Sequence, residues 1–340
     1  MGITIKDVAK AANVAPSTVS RVLSDNPRIS MATKKRVRKA MKDLGYHPNI
    51  NARSLANNST QTLGIVMKSS ADKALQNPFF PEVLRGVSSV AHKEQYSLNI
   101  STGETEDEVM ESVRRMVEGH QVDGMMLLYS SKDDRVADYL LERGFPYVLI
   151  GKPTGNMNEV NHIDNDNIQA AIDITDVLIE KGHTRIAFVG GDPNLTVTED
   201  RVAGYKLALQ QAGIPIDNSY QVYTELLTSG GKEAVRELFQ MDKPPTGLVV
   251  ADDLMSVGML TMLAEFGIRV PEDVSLVSFN NVYLSEIIRP ALTTTDVQIF
   301  QLGNQAAKCL IENVKNKDEP IKRIIVPHNI VERDSVKQLE

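Results

Sequence analysis

One cysteine, Cys309, is all the thiol that the 340 residues contain. A framework of intramolecular disulfides is therefore excluded, as is any zinc site built on two or more cysteines. Long apolar runs are missing too. None approaches the roughly 20 residues of a membrane-spanning helix, and Met1 to Lys10 is charged where a secretory signal needs an apolar stretch. Met1-Gly2 opens like a myristoylation site, but Lys6 stands where that motif wants Ser or Thr. The marks of common catalytic machineries are also absent. There is no Gly-x-x-x-x-Gly-Lys-Ser/Thr, no Gly-x-Gly-x-x-Gly, no His-Glu-x-x-His and no Gly-x-Ser-x-Gly. Val189-Gly190-Gly191-Asp192 is only a glycine turn after a strand, and the six histidines are scattered. Neither a metal nor a cofactor is expected, and the chain reads as a non-enzyme.

What is present is a core and an uneven charge. Hydrophobic residues make up 42 % of the chain, enough for a folded protein of two or three domains. The overall charge of −7 divides sharply: residues 1–60 hold eleven Lys/Arg and three Asp/Glu, a net of +8, and the remainder carries −15. A basic head on an acidic body directs a polyanion to the head alone. A solvated basic face would account for the charge equally well, so the pattern within the head has to decide.

That pattern is three short helices. Thr4-Ile5-Lys6-Asp7 has the form of a capping box, and Val8, Ala11 and Ala12 follow at helical spacing until Asn13 ends the run. Pro16 suits the first position of a second helix, whose apolar face is Val19, Val22 and Leu23. Ser17, Thr18 and Arg21 lie on its other side. Two helices this short, joined by a tight turn, read as a helix-turn-helix. A third begins at Ser30 and sets Lys34, Lys35, Arg36, Arg38, Lys39 and Lys42 around a stripe of Val37, Ala40, Met41 and Leu44. Small hydroxyls let a helix sit deep in the major groove of double-stranded DNA, and Arg21 can donate two bonds to one guanine. A generic three-helix bundle explains the stripe but not the coincidence of hydroxyls, Arg21 and positive charge. Beyond Gly45-Tyr46-His47-Pro48-Asn49 comes Asn51 to Asn57, helical in composition but about two turns long, too short to be stable alone. It is expected to fold on a partner, with Leu55 as an apolar wedge beside the basic Arg53. A plain linker is the alternative.

From Thr62 the pattern alternates between strand-like runs and amphipathic helices. The strands are expected at 63–67, 97–100, 124–129, 147–150, 186–189, 247–250 and 274–279. Such alternation predicts parallel sheets covered on both faces, and about 280 residues of it predict two doubly wound lobes. Ligands in open α/β sheets bind beyond the carboxyl ends of the strands, where Asp164, Asp252 and Asn280 stand. Asp166 and Asp253 are expected to be helix caps. Arg201, read as opening a helix, is placed poorly against the macrodipole and so points to a cleft partner.

Taken together, Ile5-Lys6-Asp7-Val8-Ala9, Val14-Ala15-Pro16-Ser17-Thr18-Val19-Ser20-Arg21-Val22-Leu23, Leu44-Gly45-Tyr46-His47-Pro48-Asn49 and Ala52-Arg53-Ser54-Leu55-Ala56 resemble the lactose/galactose repressor (LacI/GalR) family. In the body the same resemblance is carried by Asn77-Pro78-Phe79-Phe80, Lys181-Gly182-His183, Arg201 with Gly204-Tyr205, Pro271-Glu272-Asp273-Val274 and Pro290-Ala291-Leu292-Thr293-Thr294. Ser24-Asp25-Asn26-Pro27 and Ser278-Phe279-Asn280-Asn281 look like the maltose regulators of Gram-positive bacteria.

The resemblance implies a cytoplasmic homodimer on a near-palindromic operator, nucleoid-associated when bound and controlled by a small sugar. Ser17 and Arg21 would read bases, Leu55 would wedge the minor groove, and Thr4, Thr18, Ser20, Ser30, Tyr46 and Asn49 would hold phosphates. Pro16 replaces a base-reading residue common in relatives. Phe79, Arg201, Asp252 and Asn280 match effector-contacting positions, with Asn280 in place of the usual Asp. The implied division is 1–49 for the DNA-binding domain, 50–61 for hinge helix and linker, and 62–340 for a periplasmic-binding-protein-like body. Its lobes would be 62–163 with 292–327, and 164–291 with 328–340, the chain crossing near Asp164, Ala291 and Pro327. Two other readings remain at this point. One is a catabolite control regulator whose corepressor is a phosphorylated carrier protein. The other is a carbohydrate-active enzyme using Asp164 and Asp252, which leaves the head unexplained.

Overall fold

The computed structural model describes residues 3–23, 26–46, 59–67, 71–155, 157–316 and 318–339. The segment holding Asn49, Arg53 and Leu55, and so the expected hinge helix, lies outside the described residues. The chain forms two compact units, Met1–Thr60 and Gln61–Glu340.

The first unit is the three-helix head: α1 (Ile5–Ala11), α2 (Pro16–Leu23) and α3 (Met31–Leu44). The Asp7 carboxylate accepts from the backbone N–H and the hydroxyl of Thr4, at 2.8 and 2.7 Å, closing the start of α1. Asn13 takes a positive φ of 49° at the turn, a conformation its short polar side chain tolerates. The Ser30 hydroxyl accepts from the Thr33 N–H, and Gly45 ends α3 at a φ of 65°. Val8, Ala9, Ala12, Val19, Val22, Val37 and Ala40 form the head's own core.

The second unit contains two six-stranded sheets. In the first, the order is β11-β5-β4-β3-β1-β2, with β1 Thr62–Val66, β2 Ser97–Ser101, β3 Gly124–Leu127, β4 Tyr147–Ile150, β5 Asn161–Asp164 and β11 Arg323–Ile325. The second runs β12-β10-β9-β8-β6-β7, with β6 Ile186–Gly190, β7 Gln221–Tyr223, β8 Gly247–Val250, β9 Ser275–Phe279, β10 Thr293–Asp296 and β12 Asn329–Val331. All pairings are parallel except β10 with β12. Apolar strands such as β3 and β8 are buried along their whole length, as sheets covered on both faces require.

One boundary differs from the sequence reading. Residues 292–296 were expected in the first lobe, but β10 pairs with β9 and β12 in the second sheet. The middle crossover therefore falls at Val297-Gln298, not at Ala291. The other two fall at Asn165-Asp166 and Val326–His328. One side chain joins all three: the Asn165 amide donates to the Val297 carbonyl at 3.1 Å and to the Val326 carbonyl at 2.8 Å.

The helix Phe79–Lys93, which starts at the cleft, crosses the helix Ile299–Lys315 at very close range. A Cβ on Gly86 would overlap the Phe300 carbonyl, and one on Gly303 would overlap that of Val83. Gly86→Ala should therefore lower body stability by about 3 kcal/mol through forced helix separation. Chemical denaturation of the variant measures this, and a loss below 1 kcal/mol would contradict so tight a crossing.

Candidate functional site

Two sites emerge, one in each unit. In the head, Val19 and Val22 turn α2 inward, which leaves Ser17, Ser20 and Arg21 exposed and Thr18 half-buried. Ser17 and Arg21 are four residues apart and share a face. The basic helix α3 is less uniform than its sequence implied. Lys34 is only 6 % exposed, and the Arg36 Nε donates to the Ala12 carbonyl at 2.9 Å, closing the end of α1. Lys35, Arg36, Arg38, Lys39 and Lys42 are the exposed cations of α3. Thr4 and Ser30 are engaged in helix caps, and Tyr46 packs against the head core.

In the body, four of the five expected residues come together between the lobes. Asp252 follows β8 and caps the helix Asp253–Glu265, its Oδ1 accepting from the N–H of Leu254 at 2.7 Å and of Met255 at 3.4 Å. Its Oδ2 accepts from Asn280 Nδ2 at 2.8 Å and from Asn77 Nδ2 at 2.9 Å. Arg201 is buried, with Nε donating to Asn167 Oδ1 at 3.1 Å and Nη1 to the Ala251 carbonyl at 2.8 Å. Its guanidinium lies 4.1 Å from the centroid of the Phe279 ring. Asn167 extends the chain to Asp164, donating to its Oδ1 at 2.9 Å. Asn280 adopts a φ of 109°, strained for a non-glycine residue and a feature of functional turns. The fifth residue, Phe79, packs edge-on against Phe80 with ring centroids 5.4 Å apart.

Two readings of local roles change. Asp252, not Asp253, is the helix cap. Asp253 is fully buried and accepts from the hydroxyls of Ser278 and Thr294 and from the Val282 N–H. Arg201 sits in the second turn of the helix Thr196–Gln211, so the macrodipole argument does not apply. Its environment is carboxylate-rich instead.

Burial sets the electrostatics. It pushes the Asp164 carboxyl up to about 7, with Asp200 reinforcing and Arg201 opposing, and lifts Asp253 to about 7 as well. Asp252 is raised by the same cause, opposed by the bond from Asn77. Desolvation lowers Arg201 to about 10 against the pull of Asp252 and Asp164. The folded body thus holds protons that an unfolded chain releases near the ordinary value of 3.8. That contribution to stability is complete below pH 4 and is lost as pH rises through 7. The melting temperature should fall between pH 5 and pH 8. Asp164→Asn should flatten the fall, because an amide oxygen can accept the same bonds from Asn165 and Asn167. An unchanged slope in thermal scans of that variant would remove Asp164 as a cause.

Beside this cluster opens a cavity of about 540 Å³. Asn77, Phe80 and Tyr129 of the first lobe face Tyr223, Thr224 and Leu226 of the second. Phe80 rather than Phe79 stands in its wall. Another cavity, of about 610 Å³, has Arg85, Asn280, Gln298 and Phe300 in its lining. Lys73–Glu225 at 2.7 Å, Lys132–Glu199 at 3.2 Å and Lys152–Asp200 at 2.6 Å are ion pairs between the lobes. A short antiparallel bridge joins Ser131 to Leu195.

Sequence reasoning missed Asn77, Asn167, Tyr129 and Tyr223. Both tyrosines stand at carboxyl ends of strands, so the rule that singled out Asp252 applies to them. Tyr129 was read as strand, and β7 was not recognised.

A small helical DNA-reading unit and a two-lobed α/β unit with a polar, aromatic-walled cleft define an effector-controlled transcriptional regulator. Comparison with known proteins specifies the family. Residues 4–49 match the profile described as bacterial regulatory proteins, lacI family, and residues 175–336 match a periplasmic binding protein-like domain. The HTH-type transcriptional regulator MalR of Streptococcus pneumoniae is 38% identical over 340 residues, covering 98% of this chain and 100% of that one. The solved complex of the transcriptional regulator CelR with cellobiose has 30% identity and a TM-score of 0.78, covering 98% of this chain and 99% of its own. A Staphylococcus aureus structure designated probable maltose operon transcriptional repressor malR has 28% identity and a TM-score of 0.75, covering 82% of this chain and 98% of its own. The chain belongs to the lacI family of bacterial regulatory proteins.

Proposed function

We propose that the protein is a homodimeric repressor of maltose and maltodextrin utilisation genes, released from or fixed on its operator by a sugar bound between the lobes. The observation that carries this is the interlobe cluster of Arg201, Asp252, Asn280 and Asp164 beside the cavity walled by Phe80, Tyr129 and Tyr223. Aromatic faces stack on the C–H surface of a sugar, and Arg, Asp and Asn form forked bonds to paired hydroxyls. The complex of the related CelR with cellobiose supports a sugar as the ligand class, and the similarity to the maltose operon repressor malR supports maltose.

In the head, Ser17 and Arg21 read base edges, while Thr18, Ser20, Thr4, Ser30, Tyr46 and Asn49 position the phosphates. Arg53 and Leu55 serve the hinge. One recognition helix reads few bases, so two-fold symmetry and a near-palindromic site double the readout. The test is a thermal-shift screen of the full chain with mono- and disaccharides, followed by operator binding with and without the hits. A ligand at 100 times its Kd stabilises by about 2.7 kcal/mol. Maltose should give such a shift and change operator affinity. Stabilisation by a phosphorylated carrier protein alone would replace this reading with that of a protein corepressor.

A further inference from the structure

Asp252 has no acceptor site to spare. An ionised carboxylate offers about four lone-pair directions. Asp252 uses Oδ1 for the backbone N–H groups of Leu254 and Met255, and Oδ2 for the side-chain amides of Asn77 and Asn280. The two backbone bonds begin a helix and are fixed with it. Asn280 follows β9 on the same lobe as Asp252 and moves with it. Asn77 alone comes from the opposite lobe, and its amide also donates to the Leu226 carbonyl at 3.2 Å. Its own Oδ1 is held in place by the Phe79 N–H at 2.9 Å, the first amide of the helix Phe79–Lys93. The residue is 5 % exposed, so little water competes for these bonds.

We propose that Asn77 is an internal competitor of the effector: its amide occupies the acceptor site on Asp252 that a ligand hydroxyl needs, so binding exchanges a bond between the lobes for a bond to the ligand. The inference rests on the sugar reading given above. The exchange couples ligand binding to the loss of one tie between the lobes, because the bond broken is the one that joins Asp252 to the first lobe. It also sets the sign of a mutation. An ordinary contact residue weakens binding when removed, whereas a competitor strengthens it.

Calorimetric titration of the full-length protein with maltose and maltotriose tests this in Asn77→Ser and Asn77→Ala. Serine can still cap the Phe79 N–H through its hydroxyl but is too short to reach Asp252. Alanine loses both contacts. Both variants should bind the sugars more tightly, by about three- to tenfold, the worth of one hydrogen bond. Operator affinity should become responsive at correspondingly lower sugar concentration. Weaker or unchanged binding in both variants overturns the competition and makes Asn77 a plain contact or a bystander. Failure of the wild-type protein to take up either sugar overturns the sugar reading and this inference with it.

Discussion

Arg21→Ala should weaken operator binding by about 1–3 kcal/mol and relax the preference at one base pair of each half-site. The size follows from the residue's place. Val19 and Val22 bury one side of α2 in the head core, so the side carrying Ser17, Ser20 and Arg21 is the one presented outward. An arginine there can make the bidentate contact to guanine that dominates major-groove readout. Lys39→Ala, on the exposed side of α3, should act differently. It should lower affinity evenly across sequences and reduce the salt slope by about 1. Binding-site selection with both variants separates these effects. Unchanged base preference in Arg21→Ala would remove α2 from base reading.

The other large effect is expected in the cleft. Arg201→Ala should abolish the sugar response, with a loss of about 100-fold or more in affinity. Arg201 counters the buried charges of Asp252, Asp164 and Asp253, and it joins Asn167 to the Ala251 carbonyl. Without it these carboxyls should take up protons at still higher pH, and the cluster loses a buried cation. Operator binding should survive, because the head is a separate compact unit with its own core. Loss of both functions in gel-shift and calorimetric assays would make Arg201 a structural residue of the whole chain.

Much of this was legible in the sequence because the signals are local. A proline at N1, a capping box at Thr4 and a hydroxyl at Ser30 mark helix starts that need no tertiary context. Runs such as Leu248-Val249-Val250 can only be buried strands or buried helix segments, and their shortness decides between the two. The missed elements are those whose burial depends on partners far along the chain. β10 reads Thr-Thr-Thr-Asp and shows no apolar pattern, yet three of its four residues are buried. Thr294 is satisfied by Asp253 and Thr293 lies against Arg333 and Ser335. With β10 in the second sheet, the middle crossover lies later than the Ala291 that the resemblance implies. Lys34 misled for the same reason: its charge argued for solvent, but α3 turns it toward the other helices. In the cleft, position beyond the strand ends found Asp164 and Asp252, while the resemblance rather than the macrodipole pointed correctly to Arg201. Neither could show that Asn77, from the other lobe, reaches Asp252.

The knot at Asn165 gives the body its mechanics. Three passing segments gathered on one amide act as a pin, and a pin allows swinging while resisting slip or twist, since either would break both carbonyl bonds at once. Displacement under a swing grows with distance from the pin. The carboxyl end of β5 is at the knot, and the strands of the first sheet run parallel, so their amino ends are the far end of the arm. Gln61 and Thr62, where the body begins, lie at that far end. Any small rotation about this pin would therefore have its largest linear travel at the point where the chain enters the body, a lever whose gain is fixed by the length of the strands.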